Sequence, residues 1–364
     1  MKYTIDKSKH PAYLQIYEQI RADIVGGAFK YNDKLPSKRI LSEELGVSTV
    51  TVEHAYALLC DEGYARAEER SGYYTAFRSS DGFAGFMQEK EHDVNIINSE
   101  LKRTQDYPAF SISVLSKTMR RVLSDYGEGI LKKSPNSGCI EFRDALKYYL
   151  ARNRGINAET AQIVVGSGAE YLYSMIISLL GRDKTYAIEH PSYEKIEQVY
   201  RASGVNYELL PLSDDGIESS ALSKTSADIL HTTPYRSFPS GVTASATKRH
   251  EYLRWADKRD RYIVESDYDS EFSVSSKPTE TLFSLSKNEN VIYLNTFSKT
   301  ISPSFRVGYM VLPESLVSPF NEKLGFYSCT VPTFEQLVLT ELLNSGNFER
   351  YINKVRRFKR KEQY

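Results

Sequence analysis

The sequence predicts a multidomain protein, an N-terminal winged helix-turn-helix followed by a larger α/β domain with a mostly parallel sheet. Three observations predict it. Residues 1–76 read as an amphipathic helix, two helices joined at a glycine, and two strands around a polar turn. Over 93–364, strand-like and helical segments alternate, which calls for a parallel sheet covered on both faces. A chain of 364 residues that is 41% hydrophobic and 26% charged can also bury more than one core.

The first helix lies in PAYLQIYEQIRADIVGG, where Tyr13, Ile16, Tyr17, Ile20 and Ile24 recur at three- and four-residue spacing before paired glycines stop the pattern. In LPSKRILSEELGVSTVTVEHAYALLCDEGY, Ser37 can N-cap a short helix ending at Leu45. Gly46 makes the turn, and Ser48 can cap a longer helix through about Cys60. YARAEERSGYYTAF supplies two strands around Arg70, Ser71 and Gly72, a wing. The candidate DNA-contacting set is Ser37, Lys38, Arg39, Ser48, Thr49, Thr51, Ser71 and Gly72. Short hydroxyls at a helix N-terminus suit phosphate oxygens, and Arg39 can reach phosphate or guanine. Winged helices also serve as protein-interaction modules, and residues 1–80 carry eleven basic and eleven acidic side chains, so the pattern alone leaves both uses open.

The whole chain balances 47 basic against 47 acidic residues, so no global field advertises nucleic acid. The three cysteines, Cys60, Cys139 and Cys329, lack CxxC spacing and are odd in number, which argues against a disulfide framework and against a zinc site. No metal is expected. The N-terminus has no apolar signal core and no run approaches a membrane span, so a reducing cytoplasm is the expected setting. FRSSDGFAGFMQEKEH, residues 77–92, reads as a connector.

In the larger domain AQIVVGSG, KTYAIEH, ADILHTTP, RYIVESDY and NVIYLNTFSK are short strands ending in polar residues, and a parallel sheet binds its ligand at those carboxyl ends. Lys299 sits there in NTFSKTISPSFRVGYMVL. A lysine partly desolvated beside cationic neighbours has a lowered pKa and can form a Schiff base with an aldehyde. An aldehyde bearing a phosphate wants free amides at a helix N-terminus, offered at Gly168 and Ala169, with Arg306, Thr296 and Ser298 to complete the cradle. A flat pyridine wants an aromatic platform, Tyr193. Its nitrogen wants an acid and its phenolic oxygen a hydroxyl, roles open to Asp267 and Tyr268. That specification is pyridoxal 5'-phosphate. A lone GSG turn is a weak signal, a loop lysine is usually a solvated charge, and one tyrosine of twenty-seven is usually packing. The weight rests on all these parts falling in order at successive strand ends.

Residues 11–76 resemble the DNA-binding domain of GntR-type bacterial regulators, and residues 93–361 resemble fold type I aminotransferases. The pairing resembles the MocR-type subfamily of GntR transcriptional regulators. The resemblance is carried by NSGCIEFRDALKYYLARNRGI, VVGSGAEYLYSMI, EHPSYEK, TTPYRSFPSG, VESDYDSEF and NTFSKTISPSFRVGYMVLP. It implies Lys299 as the internal aldimine lysine, acting as a switch rather than in turnover. Likewise it implies Arg306 at the phosphate, Tyr268 at the phenolic oxygen and Tyr193 over the ring. Several positions depart from the family. Thr49 stands where an arginine usually follows VS, which leaves the operator sequence open. Ser266 stands where the pyridine-nitrogen acid usually lies, so either Asp267 takes that role through a local shift or the ring stays largely unprotonated, a poor electron sink. TPYRSFPSG, with Tyr235, Arg236 and Ser237, lacks the family's histidine. Lys195 replaces an arginine of GABA-responsive relatives, which makes Lys195 and Arg236 the candidate effector contacts. The family continues through a small domain of roughly a hundred residues, a typical domain size, so residues 93–364 are expected to lack most of that subdomain. The basic helix around Arg350 to Lys361 reads as a solvated connecting helix.

The expected function is therefore a cytoplasmic, homodimeric transcriptional regulator that binds an operator. It would sense an amino compound, or pyridoxal phosphate itself, through Lys299. The alternative is a working aminotransferase with an accessory DNA module, against which Ser266 and the short C-terminus count. A third reading is a degenerate domain that serves only dimerisation.

Overall fold

The computed structural model describes residues 3–6, 11–68, 71–77, 107–259, 261–274 and 280–362. The chain divides into two units, Met1–Ser99 and Glu100–Tyr364. Except for Phe77, the expected connector lies outside the described residues, as does Arg70 of the expected wing turn.

In the smaller unit, α1 (Ala12–Val25) buries Ile16, Tyr17, Ile20 and Ile24, the stripe its spacing requires. Helices α2 (Lys38–Leu45) and α3 (Thr49–Asp61) form the helix-turn-helix. The Ser37 hydroxyl accepts from the Ile40 amide at 3.2 Å, and Ser48 accepts from the Thr51 amide at 3.1 Å. Each cap satisfies an amide that the first helical turn leaves without a partner. Between them Gly46 takes φ 62°, a left-handed turn that a side chain would strain. Leu41, Val52, Ala55, Tyr56 and Leu59 pack onto α1. The Tyr56 hydroxyl donates to the Pro36 carbonyl at 2.6 Å and locks the approach to α2. Strands β1 (Ala65–Glu68) and β2 (Gly72–Thr75) pair antiparallel as the wing.

Among the described residues the larger unit is built on an eight-stranded sheet in the order β3-β10-β9-β8-β7-β4-β5-β6. Before it come α4 (Ile112–Tyr126) and α5 (Ile140–Arg154). The sheet then alternates with helices: β3 (Ile163–Gly166), α6 (Ala169–Leu180), β4 (Thr185–His190), α7 (Glu194–Ala202), β5 (Asn206–Ser213), β6 (Gly216–Ile217), α8 (Ser219–Lys224), β7 (Ile229–Thr232) and α9 (Ala246–Asp257). There follow β8 (Tyr262–Asp267), α10 (Leu282–Leu285), β9 (Val291–Thr296), β10 (Gly308–Val311), α11 (Val317–Leu324), α12 (Thr333–Asn344) and α13 (Asn347–Glu362). Strands β5, β4, β7, β8 and β9 are parallel, while β10 runs antiparallel between β9 and β3. Alternate strand residues feed opposite layers. Ile163, Val165, Tyr293 and Val311 pack with α5, α12 and α13, whereas Val164, Ile292, Leu294 and Met310 pack with α6, α7 and α11.

The basic α13 keeps Phe348, Tyr351, Ile352 and Val355 buried. Its Arg356 donates to the Glu271 carbonyl at 2.6 Å and Arg360 to that of Val274 at 3.3 Å, so part of the charge closes backbone acceptors of its own unit. No helix among the described residues is long and apolar enough to cross a membrane.

Candidate functional site

A cavity of about 370 Å³ opens at the carboxyl ends of β4, β7, β8 and β9, within the size range of small-molecule sites. The structure brings to it Ala169, Tyr193, Lys195, Ser266, Tyr268, Thr296, Ser298 and Arg306 from five separate stretches of sequence. Gly168 caps α6 with φ 96°, and a Cβ there would lie 2.9 Å from Nη2 of Arg306. A side chain at 168 would thus invade the space the guanidinium occupies at the α6 N-terminus. Backbone amides, a helix dipole and a guanidinium converging on one cradle suit a phosphate.

Glu170 organises the cations. Its two oxygens accept from Arg306 Nη2 at 2.8 Å and Lys195 Nζ at 3.1 Å. Burial pushes its carboxyl up, but its own backbone amide, Arg306 and Lys195 outweigh burial and hold it below the ordinary value. An anion entering the cradle would compete with Glu170 for both. The Tyr193 and Tyr268 rings face each other at 6.4 Å between centroids and 16° between planes, a flat-walled slot.

Three of the expected residues, Asp267, Lys299 and Arg236, stand off the cavity lining. Asp267 turns away from the cavity. It is buried in an ion pair with Arg154 at 2.5 Å and accepts from the Tyr293 hydroxyl at 2.7 Å, because strand alternation puts neighbours 266 and 267 on opposite faces. No local shift brings it to the cavity floor, which Ser266 forms with Thr233 and Tyr173. Lys299 is the second. Its amine pairs with a carboxylate, Asp269 Oδ1 at 2.9 Å, and lies 4.4 Å from the Tyr268 ring centroid rather than on the cavity wall. Third, Arg236 is outside the lining. It meets Asp269 Oδ2 at 3.3 Å, so Asp269 holds both Lys299 and Arg236.

Glu170, Asp269 and His231 are residues of this region that the sequence does not single out. Glu170 carries a partial signal as an acid in the first turn after a glycine cap. The others reveal themselves only through strand register, since β7 and β8 pair His231 with Val264 and place Ser266 just beyond.

On the smaller unit, Ser48, Thr49 and Val50 are exposed at the start of α3, Val50 to 70%. The Ser48 hydroxyl meets Thr51 Oγ1 at 2.8 Å, and Ser71 meets the Tyr74 hydroxyl at 2.7 Å, so both already have partners. Gly72 opens β2 with φ 119°. Lys38 pairs with Glu53 at 2.7 Å, while Arg39 lies open on α2 beside Glu43 at 3.3 Å. The side chains exposed along the first two turns of α3 include hydroxyl, aliphatic, Glu53 and His54 groups but none of the usual bidentate readers of guanine or adenine.

Residues 12–74 match the family described as bacterial regulatory proteins, gntR family, and residues 106–364 match aminotransferase class I and II. The HTH-type transcriptional regulator YdeL of Bacillus subtilis is 30% identical over 360 residues, covering 97% of this chain and 78% of YdeL. The probable rhizopine catabolism regulatory protein MocR of Rhizobium meliloti is 27% identical over 367 residues, covering 95% of this chain and 74% of MocR. Kynurenine aminotransferase from Pyrococcus horikoshii superposes with a TM-score of 0.63 at 22% identity, over 78% of this chain and 73% of that one, a likeness of fold.

Proposed function

The chain belongs to the gntR family of bacterial regulators and to aminotransferase class I and II, the pairing that marks MocR-type transcriptional regulators, and on that premise we propose that its cavity senses an amino compound through pyridoxal phosphate and relays occupancy to operator binding. One observation carries the sensing reading over turnover. The cavity that offers a phosphate cradle, an aromatic slot and a nearby lysine has a serine, not a carboxylate, on its floor.

The side chains suit that group. Gly168, Ala169, Ser298 and Arg306 would hold the phosphate, Thr296 closes the same end, Tyr193 and Tyr268 would flank the ring, and Lys299 would hold the aldehyde. When bound, pyridoxal phosphate supplies an aldehyde that condenses reversibly with primary amines. Lys299 must leave Asp269 to enter the cavity, and Asp269 then keeps Arg236 as its cation. An amine that frees Lys299 again returns its charge to Asp269. The two arrangements differ in charge placement at the cavity mouth, and any difference in their free energy is available to bias two arrangements of the DNA-binding heads. Lys195, released from Glu170, is the cation for an acidic effector. A homodimer presents two heads to two half-sites.

The experiment uses full-length protein. DNA fragments captured from the source genome are tested by gel shift against a panel of amino compounds with pyridoxal phosphate present. An amine-dependent shift in wild type that disappears in Lys299→Ala, with DNA binding itself retained, is expected. A response that survives in Lys299→Ala sinks the sensing reading, and steady consumption of an amino donor with a keto acid establishes the aminotransferase alternative.

A further inference from the structure

Behind Ser266 lies a buried chain of hydrogen bonds that the cradle and the lysine do not use. The Tyr200 hydroxyl is 3.0 Å from Nδ1 of His231, and Nε2 of His231 is 2.8 Å from Oγ of Ser266. The Tyr173 hydroxyl also reaches Ser266 Oγ, at 3.2 Å. Tyr200 and His231 are fully sealed from solvent, and Ser266 is 5% exposed where it lines the cavity.

Proton accounting fixes the direction of this chain. Among the described residues, His231 is the partner of the Tyr200 hydroxyl. If Tyr200 accepted from Nδ1–H, its own proton would be buried without an acceptor, at a cost comparable to a lost hydrogen bond. Tyr200 therefore donates to Nδ1, which puts the imidazole proton on Nε2 and aims it at Ser266. Burial pushes the His231 imidazolium down to a pKa of about 3, so the ring is neutral and carries a single proton. In the contact of Tyr173 with Ser266 either hydroxyl can be the donor, and the arrangement inferred is the one in which Tyr173 donates and takes the second lone pair of Oγ. A hydroxyl has one donor and two acceptor positions. With both acceptor positions filled, the Ser266 proton is left to point into the cavity.

We propose that Ser266, set by the Tyr200–His231 relay, is a one-way hydrogen-bond donor on the cavity floor that selects a ligand presenting a neutral ring-nitrogen acceptor. This rests on the pyridoxal phosphate reading and deepens it. A carboxylate at this place would accept a hydrogen bond from a protonated ring nitrogen, whereas a hydroxyl whose lone pairs are both engaged can only donate one. The cofactor's ring would be held with its nitrogen unprotonated, and His231 and Tyr200 are positioning residues that act through Ser266.

The test compares binding of pyridoxal 5'-phosphate and its 1-deaza analogue, in which a C–H replaces the ring nitrogen, to the full-length protein by cofactor absorbance and quenching of Trp255. Wild type is expected to favour the nitrogen-bearing compound by about tenfold, the worth of one hydrogen bond, and Ser266→Ala to bind both alike. Tyr200→Phe is the discriminating variant. Without the phenolic proton, Nδ1 can carry the imidazole proton and Nε2 can accept from Ser266, so the preference should fall although Ser266 is intact. Equal binding of the two compounds by wild type, or a preference that survives in Ser266→Ala, overturns the relay while leaving the cofactor reading in place. Failure of both compounds to bind wild type overturns both.

Discussion

Replacing His231 by glutamine removes a buried group that stays neutral down to a pKa of about 3, against an ordinary value near 6.5. Between those values the unfolded chain binds a proton that the folded chain refuses, so His231 erodes stability as pH falls, by about 1.4 kcal/mol per unit. At pH 5, some 1.5 units below the ordinary value, the loss amounts to about 2 kcal/mol. The wild-type profile alone would hide it. Burial raises the Glu265 carboxyl to about 7 and also raises that of Glu271. A folded carboxyl raised in this way holds a proton the unfolded chain has released, so it adds stability on acidification from about pH 7 toward 4.5. The difference between wild type and His231→Gln cancels those shared terms. Trp255, the single tryptophan, is buried in the larger unit beneath the Arg261 guanidinium and reports that unit's unfolding. Urea unfolding followed by its fluorescence should show the wild-type advantage shrinking by about 2 kcal/mol between pH 7.5 and pH 5. A difference that stays level across that range means His231 titrates normally in the folded protein, and the neutral relay would lose its basis.

Asp267→Ala strands the buried Arg154 guanidinium, so the same fluorescence assay should show a loss of about 3–5 kcal/mol, and Asp267→Leu combined with Arg154→Met should recover most of it. Gly168→Ala forces a Cβ to 2.9 Å from Arg306 at a left-handed φ, and should weaken pyridoxal phosphate binding in absorbance titrations by tenfold or more, while Gly204→Ala, with open space around it, should not. On the DNA side, the Val50 and Thr49 methyl groups are suited to thymine methyls. Replacing thymine by deoxyuridine in a captured fragment should weaken binding by about 0.8 kcal/mol per buried methyl, and binding indifferent to that exchange would assign the reading to other groups. Glu170→Gln should leave the urea midpoint nearly unchanged, because its ion pairs are half exposed, and should tighten binding of inorganic phosphate by freeing Arg306.

Local chemistry made much of this legible. Ser37, Gly46 and Ser48 announce the helix-turn-helix because caps and left-handed turns depend on the residue and its immediate neighbours. The buried strands β3, β4, β7, β8 and β9 stand out as apolar runs ending in polar residues. Strand β5 is not legible in this way: its side chains are mostly exposed or half-buried and it contains Pro211, a residue that argues against a strand. It pairs with β4 on one side and only the two-residue β6 on the other, where that composition is tolerated.

The sequence by itself determined which residues gather at the strand ends, since the order of strands and turns is written in the chain and a parallel sheet aligns those ends. Only the tertiary structure decided which of two adjacent residues, Ser266 or Asp267, faces the cavity. It likewise decided that Asp269 claims Lys299 and that Tyr200 stands behind His231. Those outcomes turn on strand register and side-chain facing, set by packing between segments far apart in sequence. A difference of one residue along β8 exchanges a neutral donor for a buried ion pair.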